Sequence, residues 1–118
     1  MSKILIVDDE EDIRAEISEY LQLKGYSTCE AHDGIEAQVV YGIEHPSMLL
    51  TDLKMPRCDG HELICKIREL DTQLPIIVMT GHYLPEELEK VRSVGATETM
   101  KKPINVKELL NSVKQHLS

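Results

Sequence analysis

Five short strand-like stretches recur along the chain, three of them mainly apolar, each followed by a stretch in helical register. This alternation restricts the fold more than any other feature. Residues 4–7, 27–31, 48–51, 76–79 and 98–100 are the predicted strands. The first and fourth are continuously apolar, and the third is apolar up to Thr51, rather than alternating, the pattern of strands covered on both faces. The helical stretches between them carry apolar residues that line up at helical spacing. These are Ile13, Ile17, Tyr20 and Leu21, then Ile35, Val39 and Ile43, then Leu63, Ile64, Ile67 and Leu70. Leu88 and Val91 mark the fourth, and Val106, Leu109, Leu110, Val113 and Leu117 the buried face of the fifth. The punctuation agrees: Gly25 stands at a helix C-terminus, Asp33 and Glu36 form a capping box, Pro85 sits in a first turn, and Asn105 with Glu108 makes a second capping pair. A strand–helix unit repeated five times calls for a parallel sheet with helices on both faces and right-handed crossovers. Ligands of such open sheets bind beyond the carboxyl ends of the strands.

Length and charge narrow the function classes. The 118 residues suit one domain spanning 1–118. No apolar run approaches the roughly 18 residues of a membrane span. The first apolar run ends at once in Asp8-Asp9, which does not suit a signal peptide. The three cysteines, Cys29, Cys58 and Cys65, are odd in number and lack a C-x-x-C pair, which fits a reducing cytoplasm better than a disulfide framework. A net charge of −8 argues against a nucleic-acid surface. Residues 1–81 hold 7 Lys/Arg against 16 Asp/Glu, whereas residues 82–118 hold 6 against 5. The acidity therefore gathers in the first two thirds.

The strand ends carry the chemistry. Strand one ends in Asp8-Asp9, strand three in Asp52, strand four in Thr80-Gly81, and strand five leads to Lys102-Pro103. Each has an ordinary structural reading when taken singly. The acidic run from Asp8 to Asp12 suits a helix N-terminus. Asp52 and Thr80 fit local capping of backbone groups, and Lys102 fits the surface. The fold reading brings them to one edge, and three adjacent carboxylates then need a cation to stay ionised. All-oxygen donors without His or Cys suit Mg²⁺. Metal and ammonium together fit a phosphoryl group, with the threonine hydroxyl donating to it, and a carboxylate can itself serve as nucleophile.

The chain resembles the response-regulator receiver domain of two-component signalling along essentially its whole length. The resemblance rests on Ile4-Leu5-Ile6-Val7-Asp8-Asp9-Glu10, on Leu50-Thr51-Asp52-Leu53-Lys54-Met55-Pro56 with Asp59-Gly60, on Ile77-Val78-Met79-Thr80-Gly81, and on Gly95-Ala96 with Lys102-Pro103. It implies a doubly wound, flavodoxin-like five-stranded sheet of order 2-1-3-4-5. It also implies that Asp52 accepts a phosphoryl group from a sensor histidine kinase or a histidine phosphotransfer domain. Asp8 and Asp9 match the acidic pair that holds Mg²⁺, together with Asp52 and the backbone carbonyl of Lys54. Thr80 matches the switch hydroxyl and Lys102 the lysine that reaches the phosphoryl group, ahead of a cis bond to Pro103. A chain of this kind catalyses only its own phosphorylation and dephosphorylation, and reshapes a partner surface.

One position departs from the pattern. Thr99 stands where many receivers have an aromatic residue, which leaves the region from His82 to Leu88 as a route for output. Lys54 and His82 occupy positions that tune the lifetime of the acyl phosphate in such domains. A flavin binder is disfavoured because Asp8-Asp9 occupies the place of a phosphate-cradling loop. An aspartyl-phosphate phosphohydrolase would need a second Asp where Lys54 stands. The remaining alternative is a receiver that binds partners without being phosphorylated.

Overall fold

The structure, a computed structural model, describes residues 2–81 and 84–117. His82 and Tyr83 lie outside the described residues, so the role expected of His82 has no structural account. Five strands, β1 (Lys3–Val7), β2 (Ser27–Ala31), β3 (Met48–Asp52), β4 (Ile76–Thr80) and β5 (Glu98–Lys101), alternate with five helices. The helices are α1 (Glu11–Leu23), α2 (Gly34–Glu44), α3 (Gly60–Leu70), α4 (Pro85–Ser93) and α5 (Val106–Leu117). All four strand pairings are parallel and the order is β2-β1-β3-β4-β5. The doubly wound, flavodoxin-like sheet expected from the sequence is therefore present.

The period-two geometry of the strands divides the core in two. Leu5, Val7, Leu49, Ile76 and Val78 point to the side of α2, α3 and α4, where they meet Ala37, Leu63, Ile64, Ile67 and Val91. Ile4, Ile6, Met48, Leu50, Ile77 and Met79 point to the other side, against Ile17 and Leu21 of α1 and Leu109 and Val113 of α5. Burying each such Leu or Ile contributes about 1.5–3 kcal/mol relative to leaving it in water. The central strands are continuously apolar because both of their faces meet helices. Gly25, with φ of 96°, adopts the left-handed conformation that ends α1 and turns the chain into β2.

Two helix faces are buried less than their apolar spacing suggests. Ile35, Val39 and Ile43 do share one face of α2, but that face is turned to solvent, with Val39 57% and Ile43 68% exposed. The core side of α2 is formed instead by Gly34 and Ala37, with Val40 and Tyr41 packed beside them. The reason is close approach: a Cβ at residue 34 would run into the carbonyl and side chain of Cys58, and the Gly34 N–H donates to that carbonyl at 3.2 Å. On α3, Leu63, Ile64 and Ile67 are buried as expected, but Leu70 in the last turn is 73% exposed. The capping box at α2 is present in shifted form. Asp33 accepts from the Glu36 N–H at 2.8 Å, while the Glu36 carboxylate accepts from the N–H of His32, one residue before the cap. Asn105 accepts from the N–H groups of Lys107 and Glu108 and so caps α5.

Candidate functional site

The parallel sheet brings the carboxyl ends of β1, β3 and β4 side by side, and the residues singled out from the sequence stand there. Asp8 follows β1 directly and is fully buried. Its backbone N–H donates to Ala31 at the end of β2 at 3.2 Å, and its Oδ1 accepts from the Glu10 N–H at 2.9 Å. Asp52 is the last residue of β3 and only 7% exposed. Its Oδ1 accepts from the Leu53 N–H at 2.7 Å and, more distantly, from the Lys54 N–H at 3.4 Å. The turn that follows is kept tight by Gly60, whose N–H donates to the Leu53 carbonyl at 2.8 Å and where a Cβ would run into the Asp52 carbonyl oxygen. The Lys54 side chain leads away, to 3.9 Å from Glu87 on α4.

Lys102 joins the two strand ends. Its ammonium donates to Asp8 Oδ2 at 2.8 Å and to Asp52 Oδ2 at 2.9 Å, and lies 3.6 Å from Glu10 Oε1. The Lys102 backbone N–H donates to the carbonyl of Thr80 at 2.9 Å, which ties the lysine to the end of β4. The peptide bond from Lys102 to Pro103 is cis. Burial of the ammonium pulls its pKa down. Its hydrogen bonds to Asp8 and Asp52, and the charges of both carboxylates, more than offset that and raise the pKa above the ordinary lysine value. Lys102 is thus held as a cation among carboxylates. Thr80 is buried at the same edge.

The acidic residues form a donor set. One carboxylate oxygen from each of Asp8, Asp9, Glu10 and Asp52 lies within 4.8 Å of all the others. The sequence reading put Asp8, Asp9 and Asp52 together and omitted Glu10, which stands next to the predicted pair and joins it in space. These are hard oxygen donors, two buried and two exposed. That mix fits a cation that keeps several water molecules, as Mg²⁺ does. A second residue outside the sequence reading is Arg14, whose guanidinium reaches back from α1 to the Asp8 carbonyl at 2.7 Å. Its signal was its sign: it is the only cation between Asp8 and Glu19.

Thr99, on β5, stands beside Val78 of β4, and its hydroxyl accepts from the Arg92 guanidinium of α4 at 2.9 Å. A polar contact therefore joins α4 to the edge strand at Thr99, the position that departs from the aromatic pattern. Among the described residues, no helix is long and apolar enough to cross a membrane.

Comparison with known proteins agrees with this architecture. The chain is 32% identical over 115 residues to sporulation initiation phosphotransferase F of Bacillus subtilis, covering 98% of this chain and 93% of that protein. It is 36% identical over 108 residues to the response regulator MprA of Mycobacterium avium, covering 92% of this chain but 47% of MprA, so it spans about half of that relative. Among solved structures, the Vibrio cholerae chemotaxis protein CheY4 superposes with a TM-score of 0.93 at 33% identity, covering 99% of both chains. A two-component response regulator from Clostridium difficile superposes with a TM-score of 0.95 at 27% identity, covering 99% of this chain and 96% of that one. The profile of the response regulator receiver domain matches residues 4–114, and the chain belongs to that family.

Proposed function

We propose that the chain is a phosphoacceptor switch in which Asp52 takes a phosphoryl group from a histidine of a sensor kinase or phosphotransfer domain. The observation that carries this reading is the Asp52 carboxylate itself. It is buried at the end of β3, bonded to the Lys102 ammonium, and grouped with Asp8, Asp9 and Glu10. The Bacillus relative is named a phosphotransferase, which agrees with phosphoryl transfer as the chemistry. In the reaction a carboxylate oxygen of Asp52 forms a bond to phosphorus while the bond from phosphorus to the donor's histidine nitrogen breaks. The product is an acyl phosphate and a free imidazole.

Asp8, Asp9 and Asp52, with the backbone carbonyl of Lys54, would hold Mg²⁺. Bound there, Mg²⁺ supplies positive charge that offsets the carboxylates and the phosphoryl oxygens. Lys102 contributes a second cation, which already stands in contact with Asp52. The Leu53 N–H holds one oxygen of the acceptor carboxylate and so fixes its plane. Thr80 donates its hydroxyl to the transferred group. Lys54 stands where a phosphohydrolase would place its acid/base, so the chain acts on its own acyl phosphate and not on outside substrates. Residues 1–118 form one receiver domain working in the cytoplasm, with a protein effector as its output and no direct contact with nucleic acid.

The test is intact mass after incubation with acetyl phosphate, with and without Mg²⁺, on the wild type and on Asp52→Asn. Addition of one phosphoryl group that needs Mg²⁺ and is absent from the variant is the expected result. No addition to a folded wild type would leave the chain as a receiver that binds partners without being phosphorylated.

A further inference from the structure

Arg14 belongs to α1, yet among the described residues its ion pair is with Glu30 and not with a carboxylate of the cluster. Its Nη1 donates to the main-chain carbonyl of Asp8 at 2.7 Å, and its Nε donates to Glu30 Oε1 of β2 at 2.9 Å. The side chain is only 15% exposed, so the guanidinium is wedged between helix and sheet. With this bond, all four polar atoms of Asp8 are engaged. The N–H goes to Ala31, the carbonyl to Arg14, Oδ1 to the Glu10 N–H and Oδ2 to Lys102. Asp9 differs, being exposed. Its carboxylate joins the cluster only if the chain leaves β1 in the right direction.

That direction is set by one peptide plane. The peptide bond is planar, so fixing the Asp8 carbonyl also fixes the N–H and Cα of Asp9. We infer that Arg14 is a positioning residue for divalent-cation binding: by holding the Asp8 carbonyl it aims the Asp9 carboxylate into the cluster. The inference rests on the reading that this cluster takes Mg²⁺. Glu30 serves as the second anchor, keeping the guanidinium from swinging toward the carboxylates as a competing charge.

The sign of the effect separates positioning from simple electrostatics. As a nearby positive charge, Arg14 opposes a second cation, and its removal would tighten Mg²⁺ binding. As a positioning group, its removal frees the peptide and weakens binding. Partners that orient metal ligands in this way change metal affinity by about 10–100-fold when mutated.

The experiment is a Mg²⁺ titration of the full chain followed by backbone amide resonances, with the urea midpoint measured on the same samples. Arg14→Ala is expected to weaken Mg²⁺ binding about tenfold. Arg14→Lys keeps the charge and loses the two-armed grip, so an intermediate weakening is expected. Unchanged or tighter binding in folded Arg14→Ala overturns the inference. If Arg14→Ala does not fold, Arg14→Lys decides alone, because binding equal to the wild type would mean that charge and not geometry is what Arg14 supplies. A wild type that does not bind Mg²⁺ overturns the metal reading itself, and this inference with it.

Discussion

β3 and β5 both lead into the candidate site, but they are built differently. All five residues of β3 are buried, while β5 has none that is fully buried and lies at the edge of the sheet. The neighbouring helices repeat the contrast. α3 buries Leu63, Ile64 and Ile67 against the sheet, whereas α4 buries Val91 alone. Met100 packs against the core only in part, and the rest of the edge is held by polar contacts: Thr97, just before β5, to the Ile76 N–H, Thr99 to Arg92, and Glu98 to Ser112 and His116 of α5. Dense apolar packing suits a group whose position must not vary, because a close-packed core has few alternative arrangements. Single side-chain hydrogen bonds contribute about 0.5–1.5 kcal/mol net each, and the Arg92–Thr99 bond is exposed to water. Asp52 thus stands on the fixed part of the molecule, and Lys102 arrives from the adjustable part.

The largest effect expected from this contrast is in the core. Ile64→Ala should cost about 2–5 kcal/mol, the usual range for truncating a fully buried aliphatic side chain. Val91→Ala should cost clearly less, since it removes fewer atoms from a helix with little else packed beneath it. Urea denaturation of the two variants checks this. Equal losses would mean that α4 is as firmly integrated as α3, and the contrast would fail.

A smaller effect belongs to the α4–β5 contact. Thr99→Val keeps the shape of the side chain and removes the acceptor for Arg92. The expected loss is about 0.5–1.5 kcal/mol and is local. Amides of α4 should exchange with solvent faster while those of β3 are unaffected, since local openings need not involve the whole fold. Equal acceleration in β3 would show that the two regions unfold together.

The legibility of the molecule follows the same division. β1, β3 and β4 were readable almost to the residue because burial on both faces leaves an unbroken apolar run, and their carboxyl ends then located Asp8, Asp52 and Thr80. α2 was legible as a helix through its capping residues but not in its orientation. Ile35, Val39 and Ile43 have the spacing of a core face, and only the tight approach at Cys58 explains why Gly34 and Ala37 take the inside. Glu10 and Arg14 were missed for a related reason. Arg14 matters through Glu30, a residue on another element, and no local pattern encodes that contact. The Arg92–Thr99 bond is of the same kind.

The smallest effect appears only in alkali, and it concerns the one side chain that links the two regions. Lys102 has a pKa raised above its ordinary value of 10.5, because its bonds and charge interactions with Asp8 and Asp52 outweigh the burial that would lower it. A cation whose pKa is raised on folding stabilises the folded state fully below its unfolded pKa, and that contribution fades as pH climbs toward the folded value. The stability difference between the wild type and Lys102→Met should therefore stay constant up to about pH 10.5 and shrink above it. Every other ionisable group is common to both chains, so the difference isolates Lys102. Urea midpoints measured for both proteins across the alkaline range provide the check. A difference that persists undiminished at the highest pH would mean that the methylene stem of Lys102, and not its ammonium, holds β5 to the ends of β1 and β3.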